Sequence, residues 1–188
     1  VAGWGKTHLL VLGDSIIDQY AACEPLGLSA EAPVVVVKEL KKRNFVGGAA
    51  IVANHAKTLG ANCSFISVVG DDSPAGYLRE QLEKNDIAYE LFIDKSRPTT
   101  FKKRYVVENQ KLFRVSQLEE HKLDKEIEDK IIFKLREYAP KINGIIVSDF
   151  VYGVVTENII EEIKTLSNKY DLMIFGDLQC SSQVGDIT

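Results

Sequence analysis

Asp14 ends an apolar run, Leu10-Val11-Leu12-Gly13, and Asp18 follows one helical-type turn later. A strand that delivers a carboxylate at its carboxyl end offers acceptors to a polyol, at the edge where open α/β sheets bind ligands. Further on, Gly47 and Gly48 open a helical segment, Val46-Gly47-Gly48-Ala49-Ala50. Adjacent glycines at a helix start leave backbone N–H groups bare and let a ligand approach closely. Lys102 and Arg104 are two apart in an extended segment and so share one face. Two cations on one face suit a phosphate, for which arginine adds bidentate geometry. Asp149 and Asp177 each follow an apolar run and reach the same sheet edge, placed for phosphates or a metal. Together these types describe a pocket for a sugar-like ligand.

Each of these residues also has a structural reading that the sequence leaves open. Asp14 could cap a turn, and Asp18 could be a surface acid. The glycine pair could serve tight packing of helix on strand. Lys102 and Arg104 could protect an edge strand from aggregation. Lys103 should point the opposite way, toward solvent. Asp71 and Asp72 are assigned to a helix N-terminus, where the dipole favours acids. His8, His55 and His121 show no ligand spacing. Cys180, in the loop after Asp177, is assigned as an inert thiol.

The elements that must position these groups alternate along the chain. Strands are expected at 8–13, 33–37, 63–69, 144–147 and 172–175, the last two of the buried type. Helices are expected at 47–59, closed by Gly60, from Asp71-Asp72-Ser73-Pro74 with Leu78 and Leu82 inward, at 124–138 with Ile127, Ile131 and Leu135 on one stripe, and at 157–166. The segment 97–116 has the pattern of a hairpin, strands 101–107 and 112–116 around Glu108-Asn109-Gln110-Lys111. The alternation implies a largely parallel sheet with helices on both faces. Segments 33–42 and 97–116 break it and look like a small sheet set apart.

The chain has 188 residues, 45% of them hydrophobic, enough for a real core in one domain. A net charge of -4 with no basic face argues against a general nucleic-acid binder. No apolar run has the length of a membrane span, and the first residues carry no signal-peptide pattern. Three widely spaced cysteines, Cys23, Cys63 and Cys180, fit a reduced, cytoplasmic setting. Gly5-Lys6-Thr7 mimics the tail of a P-loop, but the strand and first glycine that motif needs do not precede it.

The order of motifs resembles the ribokinase-like (PfkB) carbohydrate kinases, and within them the heptose-7-phosphate kinases of lipopolysaccharide precursor synthesis. The resemblance is carried by Gly13-Asp14-Ser15-Ile16-Ile17-Asp18-Gln19-Tyr20, Ser29-Ala30-Glu31-Ala32-Pro33-Val34-Val35-Val36-Val37, Gly47-Gly48-Ala49-Ala50, Leu59-Gly60-Ala61, Val69-Gly70-Asp71-Asp72, Lys102-Lys103-Arg104 and Val147-Ser148-Asp149-Phe150. It implies a three-layer α/β/α sandwich carrying a β-sheet lid, here segments of about 15–45 and 97–116. It also implies ATP and Mg²⁺ as cofactors, transfer of the γ-phosphoryl group to a sugar hydroxyl, and a homodimer formed through the lid. On this resemblance Asp14, Asp18, Gly47 and Gly48 bind the sugar, Lys102 and Arg104 its phosphate, and Asp149 and Asp177 lie on the nucleotide side.

Departures from the family pattern are equally visible. Ile51 stands where the family carries a sugar-contacting asparagine, with Asn54 one turn on as a possible substitute. Tyr152 and Gln179 stand where relatives carry lysines. The family's Gly-Ala-Gly-Asp motif, with its catalytic aspartate, and its Asn-x-x-Glu motif are expected beyond Thr188. No catalytic residue is therefore expected within residues 1–188, and this chain alone should be inactive as a kinase. A non-catalytic sugar-phosphate-binding relative and a nucleoside-type kinase remain as alternatives.

Overall fold

Strand β1 (His8–Gly13) turns Leu9 and Val11 to one face and Leu10 and Leu12 to the other, and all four are buried. A strand apolar on both faces must be covered on both, which dictates a central strand of a parallel sheet. A computed structural model of the protein, describing residues 4–179, shows that arrangement. The main sheet has the order β5-β4-β1-β8-β9 and every neighbouring pair is parallel. Its other strands are β4 (Asn62–Val69), β5 (Ala88–Ile93), β8 (Gly144–Asp149) and β9 (Met173–Leu178).

Helices α1 (Ala49–Thr58) and α2 (Ser73–Lys84) cover one face, α3 (Lys125–Tyr138) and α4 (Glu157–Tyr170) the other. Helix α1 lies close because its inward residues are Ala49, Ala50, Ala53 and Ala56. Asp72, Asp124 and Thr156 cap α2, α3 and α4, each accepting a backbone N–H of the first turn. Stripe residues Ile127, Ile131 and Leu135 are all buried, as expected.

The second sheet, order β3-β2-β6-β7, is built from β2 (Ser15–Leu28), β3 (Val35–Gly48), β6 (Thr100–Val107) and β7 (Gln110–Gln117). Strand β2 pairs antiparallel with β3 and parallel with β6, and β6 pairs antiparallel with β7. This is the small sheet set apart from the main one.

Several expectations are corrected. Asp18 does not follow a helical turn; it lies in β2, one of two fourteen-residue strands of which the sequence patterning showed only a short piece at 33–37. Gly47 and Gly48 end β3, and the helix begins only at Ala49. The Ala49 N–H is not bare, since it donates to the Asp14 carbonyl at 2.9 Å. The hairpin turn is shorter, with β7 starting at Gln110. Strand β5 was not anticipated. Strand β9 is no buried strand: Met173, Ile174 and Phe175 are 55%, 42% and 49% exposed at the sheet edge. Cys23 and Cys63 are buried and free, and Cys180 lies outside the described residues. No described helix is long and apolar enough to cross a membrane.

Candidate sugar-phosphate site

Asp14 is the junction between the two sheets. Its N–H donates to the Ser148 carbonyl at 3.1 Å, and its carbonyl accepts from Ala49. Its carboxylate accepts from the backbone N–H groups of Phe150 at 2.8 Å, Tyr152 at 3.3 Å and Val154 at 3.3 Å. Both carboxylate oxygens are thus engaged in holding the loop after β8. Burial pushes this carboxyl up to about 6, against the pull of the three amides, and the nearby Asp149 charge adds to the rise.

Further along the second sheet the character changes. Asp18 and Arg104 form an ion pair on the face reached from β2 and β6, both side chains largely shielded from solvent. Arg104 also lies over the Tyr20 ring at 5.4 Å. Gly47 is what admits the acid there: a Cβ at this position would meet Asp18 Oδ2 at 2.7 Å. Gly48 has φ +57 and would place a Cβ 2.2 Å from the Asp14 carbonyl, so glycine is required on both counts.

Lys102 pairs with Asp18 in register and lies on the same face as Arg104. It is 8% exposed, and its Nζ has neither a carboxylate nor a hydrogen-bond acceptor among the described residues. Its company is aromatic: Nζ is 5.8 Å from the centre of the Phe150 ring and 5.0 Å from that of Tyr152. Both rings lie within the roughly 6 Å over which a cation is attracted to an aromatic face. The Lys102 side chain is thus mostly buried, with its ammonium against two rings and no acid beside it among the described residues. Lys103, on the opposite face, is not simply solvent-facing; it bonds Glu39 at 2.6 Å and is half-buried.

The loop that carries the two rings is held from a second side. The buried Arg97 donates from Nε to Asp94 at 2.7 Å, and from its two amino groups to the carbonyls of Tyr152 and His121, both at 2.7 Å. Asp72, besides capping α2, accepts from the Thr99 N–H at 2.8 Å and hydroxyl at 2.7 Å, which pins the start of β6. The sequence did not single out Phe150 and Tyr152 as a ring shelf, nor Arg97, His121 and Thr99 as its supports. The available signal was two aromatics in the loop following a buried strand, beside the departure at Tyr152.

The remaining candidates are dispersed. Asp149 caps its own loop by accepting from the Val151 N–H at 2.8 Å. Asp177, exposed on β9, accepts weakly from the Ser148 hydroxyl at 3.4 Å. The two stand at the same carboxyl edge on neighbouring strands, since Ser148 pairs with Asp177 and Asp149 with Leu178. Ile51 is half-buried on α1. Asn54 does not substitute for a polar group there, because its side-chain oxygen accepts from Asn85 of α2 at 3.2 Å.

Residues 6–177 match the model of the pfkB family carbohydrate kinases. The chain is 35% identical over 175 residues to the "Bifunctional protein HldE" of Aliarcobacter butzleri, covering 92% of this chain and 36% of that protein. The protein of the same name from Campylobacter jejuni is 34% identical over 166 residues, covering 86% and 34%. The chain therefore spans about a third of the length of these curated relatives. Among solved structures, a putative phosphofructokinase from Staphylococcus aureus superposes with TM-score 0.71 at 12% identity, covering 91% of this chain and 53% of that one. Arabidopsis thaliana ribokinase complexed with ribose and ATP gives 0.63 at 14% identity, covering 90% and 53%. The structural likenesses establish a ribokinase-like fold, and the sequence match establishes the family: this chain belongs to the pfkB carbohydrate kinases.

Proposed function

We propose that this chain forms the sugar half of an ATP-dependent kinase for a phosphorylated sugar, most specifically a heptose phosphate. The observation that carries the reading is Lys102: a mostly buried lysine side chain, without an acid partner among the described residues, on the same lid face as Arg104. Asp18 and the backbone at Gly47 line that face and would hold sugar hydroxyls. Asp14, with both carboxylate oxygens on loop amides, would act as the organiser of the pocket floor. The heptose assignment is supported by the motif order and by the relatives named HldE.

Phosphoryl transfer depends on positioning and on charge stabilisation. The residues described here would do the first: Asp18 orients Arg104, Arg104 and Lys102 grip the distal phosphate, and the acceptor hydroxyl is thereby fixed at the carboxyl edge of β1 and β8. Mg²⁺ is commonly held by one or two carboxylates together with substrate phosphates. Among the described residues no group of three or more His, Cys, Asp or Glu could hold a metal ion unaided. Asp149 and Asp177 fit the sparser mode, and the ion would neutralise charge on the transferring group.

The test is ligand discrimination in the intact protein. Arg104→Ala and Lys102→Ala should each weaken binding of a heptose 7-phosphate by about 1.5–3 kcal/mol, the scale of a charge-assisted hydrogen bond. Binding of the unphosphorylated heptose should be unchanged. Equal losses for both ligands would remove the phosphate clamp. A second reading, a sugar-phosphate-binding relative without turnover, is favoured by Ile51 and by Tyr152 and Gln179 where relatives carry lysines, and ATP turnover by the intact protein excludes it.

A further inference from the structure

Strand β7 has no part in the clamp as the sequence motifs define it, yet it faces the clamp directly. In the β6–β7 register Lys102 stands opposite Ser116 and Arg104 opposite Arg114. Directly opposed residues of an antiparallel pair project from the same face, with Cβ atoms about 5 Å apart. Four adjoining positions on one face thus hold three cations and a hydroxyl. Asp18 is the acid that answers them there, through Arg104.

Two features of this quartet are unfavourable without a ligand. Arg104 and Arg114 are like charges directly across a strand pair, an arrangement that destabilises a sheet. The Ser116 hydroxyl is sealed from solvent and has no hydrogen-bond partner among the described residues. Buried hydroxyls are nearly always partnered, so an orphan requires an explanation. Across the strand pair lies the mostly buried Lys102 side chain, whose ammonium has no acceptor among the described residues. Ser116 offers a donor, Lys102 offers donors, and the face lacks the acceptor that would satisfy both. A phosphate supplies several acceptor oxygens and the negative charge.

We infer that β7 completes the anion subsite, with the Ser116 hydroxyl donating to the same phosphate that Lys102 neutralises and Arg114 contributing charge from the rim. Lys102 is the cross-strand neighbour of Ser116. The inference rests on the sugar-phosphate reading above, and it makes a distinctive demand. Removing an orphaned hydroxyl relieves the ligand-free protein but harms the complex, so stability and affinity should move in opposite directions.

The experiment compares the intact wild-type protein with Ser116→Ala, Ser116→Thr and Arg114→Ala. A heptose 7-phosphate and the unphosphorylated heptose serve as probes, with calorimetry for affinity and thermal unfolding without ligand for stability. Ser116→Ala is expected to unfold at the same or a higher temperature and to bind the phosphorylated sugar roughly tenfold more weakly, with the unphosphorylated sugar unaffected. Ser116→Thr should keep the affinity, and Arg114→Ala, at an exposed position, should weaken only the phosphorylated ligand. If the wild type discriminates between the sugars but Ser116→Ala binds both as the wild type does, the role of β7 is overturned while the clamp survives. A lower unfolding temperature for ligand-free Ser116→Ala would also overturn it, by revealing a structural partner. A wild type that fails to discriminate removes the clamp and this inference together.

Discussion

Asp14 holds a charge that its surroundings disfavour, and this has a pH signature. Its folded-state pKa is raised to about 6 from an ordinary 3.8 because burial outweighs the three loop amides. Between those values the folded chain keeps a proton that the unfolded chain has released. Stability from this group is therefore greatest below about pH 4 and declines as pH rises through 6. Other carboxylates slope the opposite way: Glu162, for example, is held low by its bond to Arg136. The informative quantity is thus the difference between wild type and Asp14→Asn. In urea unfolding the stability advantage of the wild type should shrink from pH 4 to pH 7, and a constant difference would contradict the burial argument. Gly47 is the other residue with a sharp consequence. Gly47→Ala drives a Cβ into Asp18 Oδ2 and should disturb the Asp18–Arg104 pair, weakening phosphorylated-sugar binding by about tenfold. Gly76→Ala, in the middle of α2 with open space around it, is the control; it should stabilise by about 0.5–1 kcal/mol without touching affinity.

At the scale of elements, the loop at 150–154 is suspended between two anchors, Asp14 at its amides and Arg97 at the Tyr152 carbonyl. Burial alone would raise the Asp94 carboxyl, but bonds from Ser96 and Arg97 hold it below the usual range. Arg97→Met removes the guanidinium and leaves that carboxylate buried with Ser96 alone. The expected cost is about 3–5 kcal/mol, the scale for breaking a buried ion pair from one side. It should also release the ring shelf and raise KM for the sugar phosphate. Asp94→Asn with Arg97→Met should recover part of the stability but none of the KM, since the Tyr152 carbonyl stays unheld. Recovery of both would mean that Arg97 acts only on stability.

At the scale of the molecule, the lid leaves apolar groups outward along β2 and β3. Leu26, Leu28, Val35 and Leu40 are each more than half exposed, with Val34 beside them. A long, apolar sheet that faces water is an aggregation hazard unless covered, and a symmetric copy covers it most simply. The protein is expected to be a dimer with residues 34–37 at the contact. Light scattering at micromolar concentration checks this, and a Val35→Lys variant should shift the mass toward monomer. A wild-type monomer under those conditions would remove the proposed interface.

The sequence by itself determined the parallel sheet, its two helical faces and the acidic start of α2, because these follow from local periodicity and from the acids that favour a helix N-terminus. It also determined the family, since the glycine, acid and lysine–arginine motifs keep their order along the chain. Candidate residues at the sheet edge were legible for the same reason: a strand's carboxyl end is visible in sequence. Which partners each carboxylate takes was not. Asp14 and Asp18 are both short acids near the end of an apolar run, and only tertiary contacts turn the first onto loop amides and the second onto Arg104. The length of β2 and β3 was likewise hidden, because a half-exposed lid strand mixes polar and apolar residues without the alternation that a buried face imposes. The pairing of Lys102 with two aromatic rings and with Ser116 joins positions far apart in sequence, through a register that hydrogen bonding between strands sets. Nothing in the chemistry of a lone lysine, serine or tyrosine announces such a neighbourhood; packing alone creates it.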